Sequence, residues 1–386
     1  MMKVVLSMRH GQLPPHLHFK TPNPRIDWEG LGAKVPVELT PWTPSQGKRI
    51  AGVTSYGRTG TVAHAVLEEA PLEEVRERPE DGRARVLVLS ARSEEALREQ
   101  AGRYARFLEG SAVSLGDVCF TAAAGRTHFE HRLAVVGGSG RELREHLLEV
   151  AAGRGVTSRP GGSTPGVTFV FGGEGERYPG MGRELYETQP FFREALEKCA
   201  DACKDWLERP LVQVLYGADA SGWTDPTDGA VAVFAVEWAL ARMWSAWGVR
   251  PRVVTGKGVG LLVAEVEAGL LELEDGLRRA AGRPMRGERR TTPVLPLVAL
   301  ETVASDRTDA DVCLELGPWP EVGGLRSLQR GGSEWTRLMQ TLATLYMKGV
   351  AVDASRIGAS EERRGVPLPT YPFQRRRYWS SPKRAL

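Results

Sequence analysis

A short run in the second half of the chain has the spacing of a nucleophile elbow. Residues 253–261 (VVTGKGVGL) are an apolar stretch that ends in a Gly-x-x-x-Gly turn, and apolar residues at helical spacing follow. In such a turn the middle residue lies on a strained bend between a strand and a helix, with its side chain above a parallel sheet. Covalent acyl transfer needs a nucleophile such as Ser or Cys at that place. Because the middle residue here is Gly258, the turn is predicted to hold no reacting atom.

A glycine-rich loop is the second candidate site. Residues 167–171 (VTFVF) form a continuous apolar run, which is typical of a strand buried on both faces of a parallel sheet. Residues 172–182 (GGEGERYPGMG) follow it directly. The backbone N–H groups of such a loop can converge on an anion or on a developing oxyanion. Taken alone, this pattern does not identify a reaction.

Histidines and cysteines are the remaining candidates for chemistry. His128 and His131 flank Glu130, but no third metal ligand is nearby in the sequence, so we expect polar contacts at an interface and no metal. No His follows His146 to complete a site with the cysteine pair at 199 and 203. The four cysteines are predicted to be structural thiols in a reducing cytoplasm: Cys119, Cys199, Cys203 and Cys313.

Composition and charge exclude several classes of protein. With 386 residues the chain is long enough for two or three domains, and 41% hydrophobic with 26% charged residues is ordinary for a globular protein. The net charge of +3 is too small to indicate nucleic acid or a membrane surface as a partner. No apolar run reaches the ~18 residues of a membrane span, and residues 1–9 lack the cleavage site of a signal peptide. We expect a cytoplasmic protein without a cofactor.

Several predicted elements would position the two candidate sites. Residues 83–153 are predicted to form strand, helix, helix, strand and helix in that order, with Ser93 as the N-cap of the first helix. Residues 229–247 carry apolar and aromatic side chains at helical spacing, which indicates a core helix. A C-terminal helix is predicted to end at Gly349. The prolines of residues 366–379 favour an extended segment packed on the surface.

At its N-terminal end the chain resembles the C-terminal end of a polyketide synthase ketosynthase. The resemblance rests on MRHGQLPPHLH at residues 8–18, TPNPRIDW at 21–28 and AGVTSYGRTGTVAHAVLEEAP at 51–71. The last block also reads as a strand pair interrupted by glycines, and such strands without partners would expose sheet edges. The reactive Cys and the catalytic His residues of a ketosynthase belong to motifs that this chain does not contain. His64 is therefore expected to be structural.

The rest of the chain resembles the segments that follow a ketosynthase in modular type I polyketide synthases. TAAAGRTHFEHRLAVVG at residues 121–137 is similar to the linker between ketosynthase and acyltransferase, the KS–AT linker. RELYETQPFFREALEKC at 183–199 fits an acyltransferase, and VPLPTYPFQRRRYW at 366–379 is similar to the post-acyltransferase linker, which in the family wraps back over the linker domain. The resemblance implies docking candidates in that segment: Tyr371, Phe373, Gln374, Arg375, Arg376 and Arg377.

The acyltransferase resemblance also indicates losses. Where the family has the nucleophilic Ser and a preceding His, this chain has Gly258 and Lys257. The family's Gln beside the oxyanion hole is Glu174 here, and a carboxylate next to a developing oxyanion is electrostatically unfavourable. Arg283 is the candidate for the Arg that receives the extender carboxylate. Residues 286–310 leave no room for the ferredoxin-like small subdomain that carries the family's catalytic His, and the acyltransferase-like region contains no His.

These observations predict an α/β chain. A small α/β linker domain is followed by an α/β-hydrolase-like acyltransferase large subdomain with a parallel sheet, lacking the ferredoxin-like small subdomain. The predicted divisions are a ketosynthase remnant at residues 1–72, the KS–AT linker at 73–157, a degenerate acyltransferase-like domain at 158–353 and the post-acyltransferase linker at 354–386.

The retained motifs would build and dock a scaffold, whereas the lost residues would do the chemistry. The leading hypothesis is a polyketide synthase segment with a catalytically silent acyltransferase-like domain. It would be a scaffold or docking element for an acyl carrier protein or a free-standing acyltransferase, beside other polyketide synthase domains. The alternative is an acyltransferase homologue that still binds acyl-CoA and supports malonyl-type transfer to a carrier protein by a non-standard route. A third hypothesis is a truncated product without function.

Overall fold

The computed structural model describes residues 1–44, 47–71, 81–162, 164–173, 175, 177–217, 225–305, 311–317, 322–353, 356–357, 363–377 and 379. The chain divides into two compact units, residues 1–76 and residues 77–386. The second unit contains two hydrophobic cores. The domain boundaries predicted within it stay predictions.

In the described part of residues 1–76, a helix precedes two small antiparallel sheets. α1 (Met2–His10) ends at Gly11, whose φ of 62° is the left-handed conformation of a helix C-cap. β1 (Gln12–Leu13) pairs with β2 (Thr40–Pro41). The other sheet is a hairpin of seven residue pairs between β3 (Ile50–Tyr56) and β4 (Val62–Glu68), which confirms the predicted strand pair.

The hairpin of β3 and β4 is a two-stranded sheet in the described structure, and much of its apolar surface faces solvent. Four large apolar side chains are between 58% and 78% exposed: Ile50, Tyr56, Val62 and Val66. His64 Nδ1 lies 2.7 Å from Thr54 Oγ1 on the opposite strand, which is a structural contact. The expectation that these strands expose a sheet edge stays a prediction.

The first core of the second unit is built on an antiparallel strand pair, β5 (Arg85–Ala91) and β6 (His131–Gly137). The accompanying helices are α2 (Glu94–Glu109), α3 (Leu115–Ala124) and α4 (Gly140–Ala151). This order of elements is the one predicted from the sequence. Ser93 Oγ accepts a hydrogen bond from the Ala96 N–H at 3.2 Å, which confirms the predicted N-cap.

The second core surrounds a four-stranded parallel sheet. Its strands are β7 (Val167–Phe171), β8 (Val253–Gly256), β9 (Val312–Glu315) and β10 (Leu325–Arg326). They lie in the order β10-β9-β7-β8, and the predicted buried strand β7 is in the interior. Parallel strands need crossover connections, which helices commonly supply. The helices of this part are α5 (Arg183–Thr188), α6 (Pro190–Cys203), α7 (Leu211–Tyr216), α8 (Pro226–Ala246), α9 (Val259–Glu267), α10 (Leu273–Ala280), α11 (Leu300–Ser305) and α12 (Glu334–Lys348).

α8 is buried on nearly every side, as its continuous apolar sequence requires. The Trp247 ring lies edge-on to Trp244 and to Trp335, with ring centroids 5.3 Å and 6.0 Å away. The Trp244 indole N–H donates to Ser327 Oγ at 2.9 Å, so its polar atom is paired inside the core. The aromatic stripe predicted for residues 229–247 is therefore core. None of the helices in the described ranges is long and apolar enough to cross a membrane.

After α10 the chain returns to the sheet at residues 296–298. Val254 N–H donates to Pro296 O at 3.0 Å and Val298 N–H donates to Val254 O at 3.2 Å, so this segment runs beside β8. The Asp275 carboxylate accepts hydrogen bonds from the backbone N–H groups of Arg286 and Gly287, which fixes the start of the return. In the described residues between α10 and β9, α11 is the only helix and no strand longer than an isolated bridge occurs.

The C-terminal segment lies against the first core. α12 ends at Gly349 with a φ of 96°, the predicted left-handed C-cap. Residues 363–377, here called the strap, then pass over α3. Val366 N–H donates to Thr121 Oγ1 at 3.0 Å, and the Leu368 side chain is buried in the core. This is the path that the family resemblance implied for the post-acyltransferase linker.

Candidate functional site

The predicted elbow has the backbone geometry of a nucleophile elbow. β8 ends at Gly256, and Gly258 is the N-cap of α9 with φ 55° and ψ −125°. A positive φ of this kind is strained for any residue with a Cβ. Lys257 N–H donates to Phe171 O at 3.2 Å, which ties the turn to β7. The sequence prediction of a strained strand-to-helix bend is confirmed.

The outer glycines of the elbow are required by close packing. A Cβ on Gly260 would lie 2.6 Å from the Phe171 carbonyl carbon and closer still to the Gly172 oxygen. A Cβ on Gly256 would lie 2.5 Å from the carbonyl carbon of Gly260. Both positions therefore exclude a side chain, since α9 touches the backbone at the end of β7 through Gly260 and the end of β8 through Gly256.

Gly258 differs from these two glycines because space remains above it. The nearest atom to a Cβ built on Gly258 is Gly173 Cα, at an ordinary contact distance of 3.6 Å. Gly258 and Lys257 are both exposed. The elbow could thus present a side chain at position 258, and it presents none.

The glycine-rich loop begins beside the elbow and is held by a buried carboxylate. Gly172 N–H donates to Glu237 Oε1 at 3.0 Å, and Glu237, on α8, is fully buried. A Cβ on Gly317 would lie 2.6 Å from the same oxygen, so the end of β9 also packs closely against this point. Glu174, the predicted unfavourable carboxylate, lies outside the described residues.

The far end of the loop is anchored on α12. Glu334 Oε1 accepts hydrogen bonds from Gly182 N–H at 2.7 Å and from the Tyr178 hydroxyl at 3.2 Å. Burial raises the pKa of the Glu334 carboxyl, and these two hydrogen bonds offset part of the rise. The loop is therefore fixed to the body of the domain at both ends.

Arg283 contacts Trp206 and the end of α10. Its guanidinium carbon is 5.3 Å from the centroid of the Trp206 ring, and its backbone N–H donates to Arg278 O at 2.7 Å. Both contacts are at the end of α10, on the side that faces α6. The role of Arg283 as the receptor of an extender carboxylate stays a prediction.

The docking candidates of the strap fall into two groups. Tyr371 and Gln374 are used within the chain: the Tyr371 hydroxyl accepts from Arg92 N–H at 3.0 Å, and Gln374 Nε2 donates to Glu95 Oε2 at 2.7 Å. The others are exposed: Phe373, Arg375, Arg376 and Arg377. Phe373 has 78% of its surface in solvent, which is unusual for an aromatic side chain.

The histidine and cysteine candidates occupy structural positions. His128 is hydrogen-bonded through its two ring nitrogens to the Tyr346 hydroxyl at 2.9 Å and to Ala123 O at 2.8 Å, so it joins α3 to α12. This agrees with the predicted polar contacts at an interface. The four cysteines are buried and free. Burial raises the pKa of the Cys119 thiol to about 12.

The sequence reasoning missed the two carboxylates that hold the glycine-rich loop. Glu237 could have been found as the lone acidic residue inside the apolar stretch of residues 229–247. Glu334 gives no such signal, because an acidic residue in the first turn of a helix is common on exposed surfaces. What the assembled site offers is open space above Gly258 beside a glycine-rich loop, without a nucleophile at position 258.

Sequence comparison places this site in a known context. Residues 168–293 match the acyl transferase domain family, and residues 85–147 match a family described as CurL-like, PKS C-terminal. The chain carries an acyltransferase region of the modular type I polyketide synthases. Phenolphthiocerol synthesis polyketide synthase type I Pks15/1 of Mycobacterium marinum is 39% identical over 296 residues, which are 74% of this chain and 14% of that protein. Erythronolide synthase EryA2 of Saccharopolyspora erythraea is 37% identical over 73% of this chain and 8% of that protein.

Solved structures support the same fold for the acyltransferase region. The acyl transferase domain of ZmaA superposes with a TM-score of 0.66 over 74% of this chain and 99% of that chain, at 20% identity. The acyltransferase domain from module 8 of the salinomycin polyketide synthase has a TM-score of 0.59 at 20% identity, over 71% of this chain and 98% of that chain. The chain spans less than a fifth of the length of either curated relative named above.

Proposed function

We propose that this chain is a polyketide synthase segment whose acyltransferase region does no covalent acyl transfer. It is a scaffold or docking element for an acyl carrier protein or a separate acyltransferase in polyketide biosynthesis. The observation that carries the proposal is Gly258, at the centre of an intact elbow with open space above it. A glycine has no atom that can attack a thioester carbonyl and form an acyl ester.

Two further observations support a silent site. The chain contains no His after His146, so no imidazole of this region can take the proton of a nucleophile. Residues 294–298 pass directly beside β8, in the place where the family inserts its small subdomain between α10 and β9. These observations support the proposal that nucleophile, base and small subdomain are lost together while the packing of the elbow is retained.

The test of silence is an intact-mass measurement after incubation of the whole chain with malonyl-CoA. We expect no covalent adduct on the wild-type chain. Gly258→Ser restores the hydroxyl, and Gly258→Ala is its matched control, because both variants carry the same backbone strain. An adduct on the wild-type chain would overturn the proposal. An adduct on Gly258→Ser alone would support it and show that the pocket still admits malonyl-CoA.

The scaffold role is supported by the exposed end of the strap. Phe373 and the three consecutive arginines 375–377 project from a segment that the rest of the strap holds in place. An apolar ring beside a cluster of guanidinium groups fits an acidic protein surface. We expect that changing arginines 375–377 to Gln weakens binding of an acyl carrier protein and reduces its salt dependence.

A matched control uses three arginines on α4 and in the segment that follows it. Arg141, Arg154 and Arg159 have side chains that are 65% to 87% exposed, so their replacement by Gln removes the same charge. Equal loss of carrier binding in the two triple variants would show that net charge alone is responsible. That result would remove the strap from the docking surface.

A second candidate function is favoured by the open space above Gly258. The elbow and the glycine-rich loop could still bind acyl-CoA and support malonyl-type transfer to a carrier protein by a non-standard route. Calorimetric titration of the chain with malonyl-CoA tests the binding step. Transfer to a carrier protein by the wild-type chain alone would favour this function over a silent scaffold.

A further inference from the structure

A cavity unrelated to the elbow lies beneath the strap. It has a volume of about 420 Å³, which is within the range of small-molecule sites. Gln100 and Tyr104 of α2 line one side, Arg126 and Phe129 line a second side between α3 and β6, and Phe373 of the strap closes it from outside. We call this space the strap cavity.

Two buried polar groups in the strap cavity lack ordinary hydrogen bonds. Gln100 and Tyr104 are four residues apart on α2 and therefore share a face. Gln100 is 6% exposed and Tyr104 is fully buried. The Gln100 Oε1 atom has no hydrogen-bond partner in the described structure, and the Tyr104 hydroxyl has only the nearby Arg126 side chain, without a hydrogen bond of ordinary geometry. Native proteins leave few buried polar groups unpaired. A bound molecule that forms hydrogen bonds with these two groups is the natural explanation.

The neighbouring side chains give the cavity a positive charge. Arg92 and Arg126 line it, and none of its described lining residues is acidic. Burial raises the pKa of the Tyr104 hydroxyl, and the nearby Arg126 charge opposes that rise. The cavity therefore favours an anion close to Tyr104.

Aromatic rings form the rest of the wall. The Tyr371 ring lies between Phe129 and Phe373, with ring centroids 5.7 Å and 5.1 Å away. The Arg92 guanidinium carbon is 5.3 Å from the centroid of the Phe129 ring, so charge and aromatic surface are adjacent. A flat ligand ring would find stacking partners here.

We propose that the strap cavity binds a small aromatic carboxylate that carries a ring hydroxyl or amino group. The ring hydroxyl or amino group of the ligand donates a hydrogen bond to Gln100 Oε1. The same group also pairs with the Tyr104 hydroxyl. The carboxylate lies toward the guanidinium of Arg126, while the aromatic ring packs against Phe129 and Phe373. The proposal does not depend on the state of the elbow, since no residue of the elbow lines this cavity.

Occupancy of the cavity would also hold the strap in place. Phe373 touches both the cavity and solvent, and the arginines 375–377 follow after Gln374. A ligand under Phe373 adds contacts between the strap and α2 without a new contact to the arginines. Bound ligand should therefore slow trypsin cleavage after residues 375–377.

The test is a titration of the full chain with 4-hydroxybenzoate, followed by ligand-observed NMR. Benzoate lacks the donor and 4-hydroxybenzyl alcohol lacks the charge, so both should bind at least about tenfold more weakly. Tyr104→Phe and Gln100→Met should weaken the binding of 4-hydroxybenzoate by a similar factor. They should not lower the thermal midpoint of the free chain, because each removes a buried polar group without an ordinary hydrogen bond. Arg106→Ala on the same helix is the control, since Arg106 does not line the cavity.

The proposal is overturned if 4-hydroxybenzoate, benzoate and the alcohol bind equally, or if none binds at millimolar concentration. It is also overturned if Tyr104→Phe and Gln100→Met leave the affinity unchanged, which would mean that water alone fills the cavity. Slower trypsin cleavage with the wild-type chain, and not with Tyr104→Phe, is the supporting result from a second method.

Discussion

The elbow predicts a sharp difference between two glycines that are two residues apart. Gly258→Ala should cost about 1–3 kcal/mol of unfolding free energy, because the only penalty is a Cβ at φ 55°. The nearest atom to that Cβ would be 3.6 Å away, so no clash is added. Gly260→Ala should cost more than about 3 kcal/mol, because its Cβ would meet the backbone of Phe171 at 2.6 Å. Phe171 belongs to the interior strand β7, which cannot shift cheaply.

The assay is urea unfolding followed by tryptophan fluorescence. Trp244, Trp247 and Trp335 are all in the core that contains the elbow, so their signal reports its unfolding. The change in midpoint at unchanged slope gives the loss of stability for each variant. Equal losses for Gly258→Ala and Gly260→Ala would refute the claim that the elbow keeps open space at position 258. A negligible loss at Gly260 would refute the close approach of β7 and α9.

Three other outcomes follow from the structure. Gly116→Ala should expose the strap to trypsin, because its Cβ would lie 2.9 Å or less from the guanidinium nitrogens of Arg363 and displace that side chain. Glu334→Gln should raise the thermal midpoint near pH 7 and leave it unchanged near pH 4. Burial raises the pKa of Glu334 in the folded chain. The wild-type chain therefore loses stability as the pH rises from the unfolded pKa of about 4.3 through the folded pKa. The Cys119 thiol should react slowly with a thiol reagent in the native chain at about pH 8, because its pKa of about 12 leaves little thiolate and the side chain is buried.

Each of these outcomes has a contradicting result. An unchanged trypsin pattern in Gly116→Ala would mean that Arg363 does not help to fix the strap. A lower midpoint of Glu334→Gln near pH 7 would mean that the charge of Glu334 is needed to hold Gly182 and Tyr178. Rapid modification of Cys119 at the rate of an unfolded control would mean that α3 is not packed as described.

Much of the fold could be predicted from the sequence because local sequence patterns and tertiary packing agree. The β5-to-α4 order follows from alternating strand and helix periods and a serine N-cap at Ser93. The interior position of β7 follows from its unbroken apolar run, and the C-cap at Gly349 from the helical stripe that precedes it. The strained turn at Gly258 was likewise predicted from the spacing of its flanking glycines.

The parts that could not be predicted depend on residues far apart in the chain. The contact of Gln374 with Glu95 joins positions 279 residues apart, and no local pattern encodes it. The strap cavity exists only because the strap closes over α2, so no local pattern around Gln100 predicts it. Arg283 was assigned by resemblance to a motif, and its contact with Trp206 joins positions far apart in the chain, which no local pattern predicts.

The most direct test of a silent acyltransferase region is the loading of an acyl carrier protein with malonyl-CoA, measured by intact mass. The chain alone, a free-standing acyltransferase alone and the two together are compared at equal concentrations. We predict no malonyl-carrier with the chain alone, and faster loading by the separate acyltransferase when the chain is added. Malonyl-carrier formed by the chain alone would contradict the account, because Gly258 leaves no nucleophile for that reaction.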